Sequence, residues 1–218
     1  MIRTSKKRRK ISGKAVFIKI ISFVKRNKLL TGLILLFLLG MTYGSVLASS
    51  GEVGVTTPLN ILVSTFTQQR ADQPIVVTFL SSFTSDLGII MALFLLGFGA
   101  ISQPIELLIP TFYGMGLGAT MGHLYKTAEF SGVAYCAVLI LPHTLISLAA
   151  VVLAAKEAIK LSNLFLGGVV PSMEKAAPNI VKLYLIKFGV LILIIAISAI
   201  VDVLMTYLFA GMIVPVGV

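Results

Sequence analysis

A dense block of lysine and arginine runs straight into a stretch with no charge at all. Arg3, Lys6, Lys7, Arg8, Arg9, Lys10, Lys14, Lys19, Lys25, Arg26 and Lys28 precede the first long apolar run, and no charged residue appears from Leu29 to Ala48. A helix needs roughly 20 apolar residues to cross a bilayer core, and the flanks on the cytoplasmic side collect Lys and Arg. The junction therefore reads as a basic cytoplasmic arm leading into a membrane span. Similar apolar runs follow along the chain and bring the total to about five. The expected fold class is all-α: an integral membrane helical bundle with about five transmembrane helices and an N-terminal basic amphipathic helix. Residues 1–28 form the arm, 29–210 the five-span membrane domain and 211–218 a short extracytoplasmic tail.

Composition agrees. The chain has 218 residues, 57% of them hydrophobic and only 12% charged, against roughly 25% charged in a soluble domain. No segment between spans reaches the roughly 50 residues of an independent domain. A net charge of +10 would point to nucleic acid in a soluble protein. Here the charge sits beside a span, so the expected partner is anionic membrane lipid and not nucleic acid. Cys136 stands alone inside an apolar run and is expected to be an inert small hydrophobe. Val46-Leu47-Ala48 before Ser49-Ser50 resembles a signal-peptide cleavage site, but the apolar run exceeds the usual ~7–15 residues, so a retained anchor is expected.

Within the arm, Lys14, Lys19, Ser22, Lys25 and Arg26 share one side of a helix, and Val16, Phe17, Ile20, Ile21, Phe23 and Val24 the other. Such a helix suits an anionic headgroup layer, with Lys14, Lys19, Lys25 and Arg26 as lipid contacts. The plainer alternative is an extension of span one with snorkelling lysines. Span one is expected at Leu29–Ala48. A loop with a second amphipathic segment (Leu59, Leu62, Val63, Phe66) follows. Span two is expected at Phe83–Ile101, span three at Ile105–Tyr125 after a turn at Ser102-Gln103-Pro104, span four at Ser131–Ala155 and span five at Leu183–Ala210.

Two residue patterns stand out within the spans. Gly32, Gly40, Gly44 and Ala48 in span one, and Gly114, Gly118 and Gly122 in span three, recur at multiples of four. Small residues at this spacing make a groove that admits a second helix. The groove serves packing within the bundle, a partner, or a second copy in a homo-oligomer. Ionisable residues inside lipid are costly and point to function by default. Glu106 is expected near the cytoplasmic surface, solvated or stabilising a helix start, and His123 near the outer interface. His143, just after Pro142, and Asp202 are expected to meet inside the bundle, as a structural clamp or as part of a proton or ion pathway.

Catalytic and cofactor motifs are missing: the sequence has no His-Glu-x-x-His, no Gly-x-Ser-x-Gly and no phosphate-binding loop. The histidines lack the partners of a metal site. The chain is therefore expected not to be an enzyme, and to need neither cofactor nor metal.

Several features, taken in order, resemble one family. They are the basic arm and first span, the tight hairpin at Pro104, the Tyr113-Gly114-Met115-Gly116-Leu117-Gly118 run, Leu141-Pro142-His143, and Asp202 in the last span. From about Lys28 to Ala210 the chain is similar to the stage II sporulation protein M family, small five-span membrane proteins of endospore-forming bacteria with relatives in other prokaryotes. Many relatives carry a glutamate within a turn of the proline-histidine pair, where this chain has Thr144, Leu145, Ile146 and Ser147. The resemblance implies a scaffold in the mother-cell septal or engulfing membrane. There it would anchor the peptidoglycan-degrading stage II sporulation proteins D and P during engulfment. A competing expectation is a small transporter or channel subunit using Asp202 and His143. Such proteins often show paired repeats, and an odd number of spans does not divide into equal halves.

Charge placement makes topology testable. With an odd number of spans and the amino terminus inside, all of the 18 basic residues except Arg70 and Lys126 fall on the cytoplasmic side, as the positive-inside rule demands. Reporter fusions should place the amino terminus in the cytoplasm and Val218 outside. Both ends on one side would remove the five-span arrangement.

Overall fold

The computed structural model describes residues 27–50, 74–166 and 173–209. The basic amphipathic arm, the second amphipathic segment and the 211–218 tail lie outside the described residues. Among the described residues every element is helical: α1 Lys28–Ser50, α2 Ile75–Leu96, α3 Gln103–Tyr135, a π-helical turn Cys136–Ile140, α4 Leu141–Leu166 and α5 Met173–Phe209. Four stretches are long and apolar enough to cross a membrane: Lys28–Ser50, Ile75–Leu96, Phe130–Leu166 and Asn179–Phe209. The first part of α3 is helical as well, but Pro110 and its glycines dilute its apolar character.

Span two starts and ends earlier than the apolar pattern suggested, at Ile75 and Leu96 instead of Phe83 and Ile101. Ser81, Ser82, Thr84, Ser85 and Asp86 interrupt the run and hid its first half. Ser82 and Asp86 find partners inside the bundle, which is what makes them tolerable there. The helix closes at Gly97, whose N–H bonds back to the Leu93 carbonyl at 3.1 Å. Pro104 then opens α3 in its first turn, where a missing N–H costs nothing.

Helical hydrogen bonding continues through α3 into the π turn, yet the chain reverses. Residues eight apart in a straight helix stand about 12 Å from each other. A Cβ on Gly132 would nevertheless strike the carbonyl of Leu124. Met121 and Leu124 pack against Tyr135, Cys136, Leu139 and Ile140. The fold-back lies between Leu124 and Gly132 and separates the expected spans three and four.

Contact registers give the direction of each helix. Phe37, Met41 and Ser45 of α1 lie against Gly114, Gly118 and Gly122 of α3. Both series rise by fours, so α1 and α3 run parallel. Asp86 meets Ser147, and Gly97 faces Ala158, so α2 and α4 also run parallel. His143 meets Asp202, Ser147 meets Ser198 and Glu157 meets Lys187, so α4 and α5 are antiparallel. Gln103 reaches Asn163 at 2.8 Å, which sets α3 against α4. Direction alternates along the chain, and Lys28 and Phe209 lie at opposite ends of the bundle. Lys156, Lys160, Lys182 and Lys187 sit toward the Lys28 end. Lys126 sits at the other, bonding the Ser49 carbonyl at 3.2 Å.

The two glycine series fill each other. A Cβ on Gly40 or Gly44 would collide with the backbone of Thr111 or Met115, and one on Gly114 or Gly118 with the backbone of Phe37 or Met41. The groove on α1 is thus occupied by α3 of the same chain. In α4, Ala150, Ala154, Ala155 and Ala158 are fully buried. They let that helix sit at the centre beside Leu33, Ile90, Leu93, Leu191 and Ile195. At the lysine end, Phe94, Tyr184 and Phe188 stack with ring centroids 4.5–5.4 Å apart. Tyr184 also donates to the Phe94 carbonyl at 3.0 Å.

Gly32 and Gly116 face open space and serve as controls. Alanine at Gly40, Gly44 or Gly118 should destabilise the bundle by about 1–3 kcal/mol, the usual range for overpacking. Alanine at Gly32 or Gly116 should leave thermal unfolding in detergent unchanged or slightly raised. Equal melting temperatures for Gly116→Ala and Gly118→Ala would break the close-approach account.

Candidate functional site

Polar side chains converge between α2, α4 and α5. Each helix contributes a pair four residues apart: Ser82 and Asp86, His143 and Ser147, Ser198 and Asp202. That spacing puts both members of a pair on one helix face. Parallel and antiparallel packing then brings the three pairs together. Asp202, fully buried, accepts from the Ser82 hydroxyl at 2.5 Å, and its other oxygen lies 3.3 Å from Nδ1 of His143. Asp86, 8% exposed, is hydrogen-bonded to Ser147. Ser147 and Ser198 lie 2.9 Å apart, and Ser198 donates to the His143 carbonyl at 2.7 Å. From α3, the phenol of Tyr113 faces Ser147 and Asp86.

Pro142 shapes this place. A proline inside a helix removes one hydrogen bond and crowds the preceding turn. Here the preceding turn widens to π geometry over Cys136–Ile140, and the Leu141 N–H reaches back to the Cys136 carbonyl. Thr144 adds its hydroxyl to the Ile140 carbonyl at 2.8 Å. Such π turns recur at functional sites. The His143 carbonyl is the one Ser198 uses, so the distorted turn is followed directly by a cross-helix bond.

The structure unites His143 and Asp202 and keeps the other expected ionisable residues apart. Glu106 stands in the first turn of α3 at the lysine end, the position expected, but it is fully buried and not solvated. It accepts from Ser102 at 2.8 Å, while its second oxygen has no partner among the described residues. Ser102 also reaches the Leu96 carbonyl at 2.5 Å and the Gly99 carbonyl at 2.8 Å, and Ser162 of α4 donates to the same Gly99 carbonyl at 2.7 Å. The turn and α4 thus close over the start of α3, which removes Glu106 from water. His123 was expected at the outer interface and is 2% exposed, so it is not solvated there. Gly40, Gly44, Gly114, Gly118 and Gly122 line the α1–α3 contact. Lys14, Lys19, Lys25 and Arg26 lie outside the described residues.

Sequence reasoning missed Asp86, Ser82, Ser147, Ser198 and Tyr113. Asp86 lies inside the expected span two, among serines and a threonine. The repeated four-residue polar spacing in three helices was the signal that could have found the group. Chemically, the cluster holds two carboxyl groups and one imidazole, joined by hydroxyls that both donate and accept. It can tie three helices together, and it can hold protons. Among the described residues no group of three His, Cys, Asp or Glu side chains is placed to hold a metal ion.

No curated protein and no solved structure matches the chain. A family model for stage II sporulation protein M matches residues 33–207, a stretch that contains both the α1–α3 glycine contact and the whole polar cluster, and on that match the chain belongs to the stage II sporulation protein M family.

Proposed function

We propose that this sporulation membrane protein is a non-enzymatic scaffold that anchors and localises peptidoglycan-degrading enzymes in the membrane engulfing the forespore. By the family resemblance its partners are stage II sporulation proteins D and P. The observation that carries the reading is how the buried polar groups are used. Ser82, Asp86, His143, Ser147, Ser198 and Asp202 are spent on one another across α2, α4 and α5. Side chains used this way staple helices and hold a surface in shape. The glycine contact does the same for α1 and α3. The anionic lipid of the inner leaflet is the expected partner of the basic arm.

A second reading, a small transporter or channel subunit, draws on the same cluster, because two carboxyl groups and an imidazole inside lipid also suit an ion or proton path. One substitution separates the two. Asp202→Asn keeps an acceptor for Ser82 and a donor toward His143 but cannot ionise. In a sporulating host it should insert normally, recover proteins D and P after mild crosslinking, and support engulfment. Asp202→Leu should weaken the bundle by on the order of 1 kcal/mol and lower accumulation. A stable Asp202→Asn protein that still recovers its partners yet blocks engulfment would favour transport. A wild-type protein that recovers neither hydrolase would sink the scaffold.

A further inference from the structure

The hydroxyl chain from Asp86 to His143 can be counted proton by proton. Three oxygen–oxygen contacts lie in series: Asp86 with Ser147, Ser147 with Ser198 at 2.9 Å, and Ser198 with the His143 carbonyl at 2.7 Å. Each needs one hydrogen between its oxygens. A carbonyl brings none, and each serine brings one. However the two serine hydrogens are assigned, one contact is left with two sets of lone pairs facing each other. Tyr113 does not repair this, because its phenol meets Ser147 as a further partner, and the one hydrogen it brings is taken up by that added contact. Among the described residues of the series the missing hydrogen has one other source, the Asp86 carboxyl.

The surroundings agree. Among the described residues, the ionisable groups that face Asp86 are His143 on α4, Asp202 on α5 and Tyr113 on α3. None of them is a lysine or arginine. Asp202 differs from Asp86 in having both the imidazole of His143 and the Ser82 hydroxyl on its oxygens. The one imidazole therefore sits with Asp202. An unpaired second negative charge at this depth is the costly arrangement in lipid.

We propose that Asp86 is a proton-binding site: its carboxyl group carries a proton and donates it to Ser147, which donates to Ser198, which donates to the His143 carbonyl. Every contact in the series then holds one hydrogen. The proton comes from water and converts the carboxylate to the neutral acid. Losing it leaves one link between α2, α4 and α5 without a hydrogen, so the joint depends on occupancy of this site. The assignment holds whichever partners the bundle anchors.

Infrared spectroscopy of the full chain in lipid bilayers reads this directly. The aspartates of the chain are Asp72, Asp86 and Asp202, so labelling aspartate with carbon-13 at the side-chain carboxyl separates them from every glutamate, Glu106 included. At neutral pH the spectrum should show an isotope-shifted carbonyl band of a protonated carboxyl. Asp86→Asn should abolish that band, while Asp72→Asn and Asp202→Asn should keep it. If Asp86→Asn does not accumulate, Ser147→Ala takes its place. The band should then move to higher frequency, because the acid has lost its acceptor. Absence of a protonated-aspartate band, survival of the band in Asp86→Asn, or an unmoved band in Ser147→Ala would each overturn the proposal.

Discussion

Inside hydrocarbon nothing pushes one apolar helix against another, since lipid tails are as apolar as leucine. What remains is close van der Waals approach and hydrogen bonding between helices, and this bundle divides the two between its halves. α1 and α3 approach backbone to backbone, with glycine opposite carbonyl on both sides. α2, α4 and α5 meet over Asp86, His143, Ser147, Ser198 and Asp202. The alanine-lined α4 joins the halves, with Leu33 of α1 packed in the same core as Ile90, Val151 and Ile195. Large apolar side chains such as Leu35, Leu39, Val46, Leu193 and Ile197 are exposed. They are the surface such a bundle offers to lipid.

The polar cluster shows how a local defect becomes a tertiary feature. Pro142 cannot continue an ordinary helix, the turn before it widens, and the carbonyl just after it accepts from the neighbouring helix. The same logic closes the lysine-rich end. There Ser102, Ser162 and Glu106 gather around the carbonyls of the α2–α3 turn. Glu157 binds Lys160 at 2.8 Å and Lys187 at 2.6 Å, tying α4 to α5. Carbonyls at a turn must find partners where water is scarce, and at the α2–α3 turn Ser102 and Ser162 supply them.

Some of this was legible in the chain itself. Membrane class, helical content and the approximate spans follow from local hydropathy and charge, because a bilayer imposes a length and forbids unpaired backbone whatever the neighbours are. The glycine spacing announced a groove, because it lies within one helical face, and His143 with Asp202 announced a contact, because ionisable groups inside lipid need partners. Asp86 escaped, since a single acid among serines reads locally as the polar edge of a span.

The sequence alone settled that helices form and which of their faces are small or polar, for those are short-range properties fixed by 3.6-residue geometry. Which face meets which was decided only by the tertiary structure. α3 fills the groove on α1, His123 and Glu106 end up buried, and three polar pairs far apart in the chain share one depth. These outcomes depend on the register and direction of packed helices. Register is set by the sum of many contacts between distant segments, and no local pattern carries that sum.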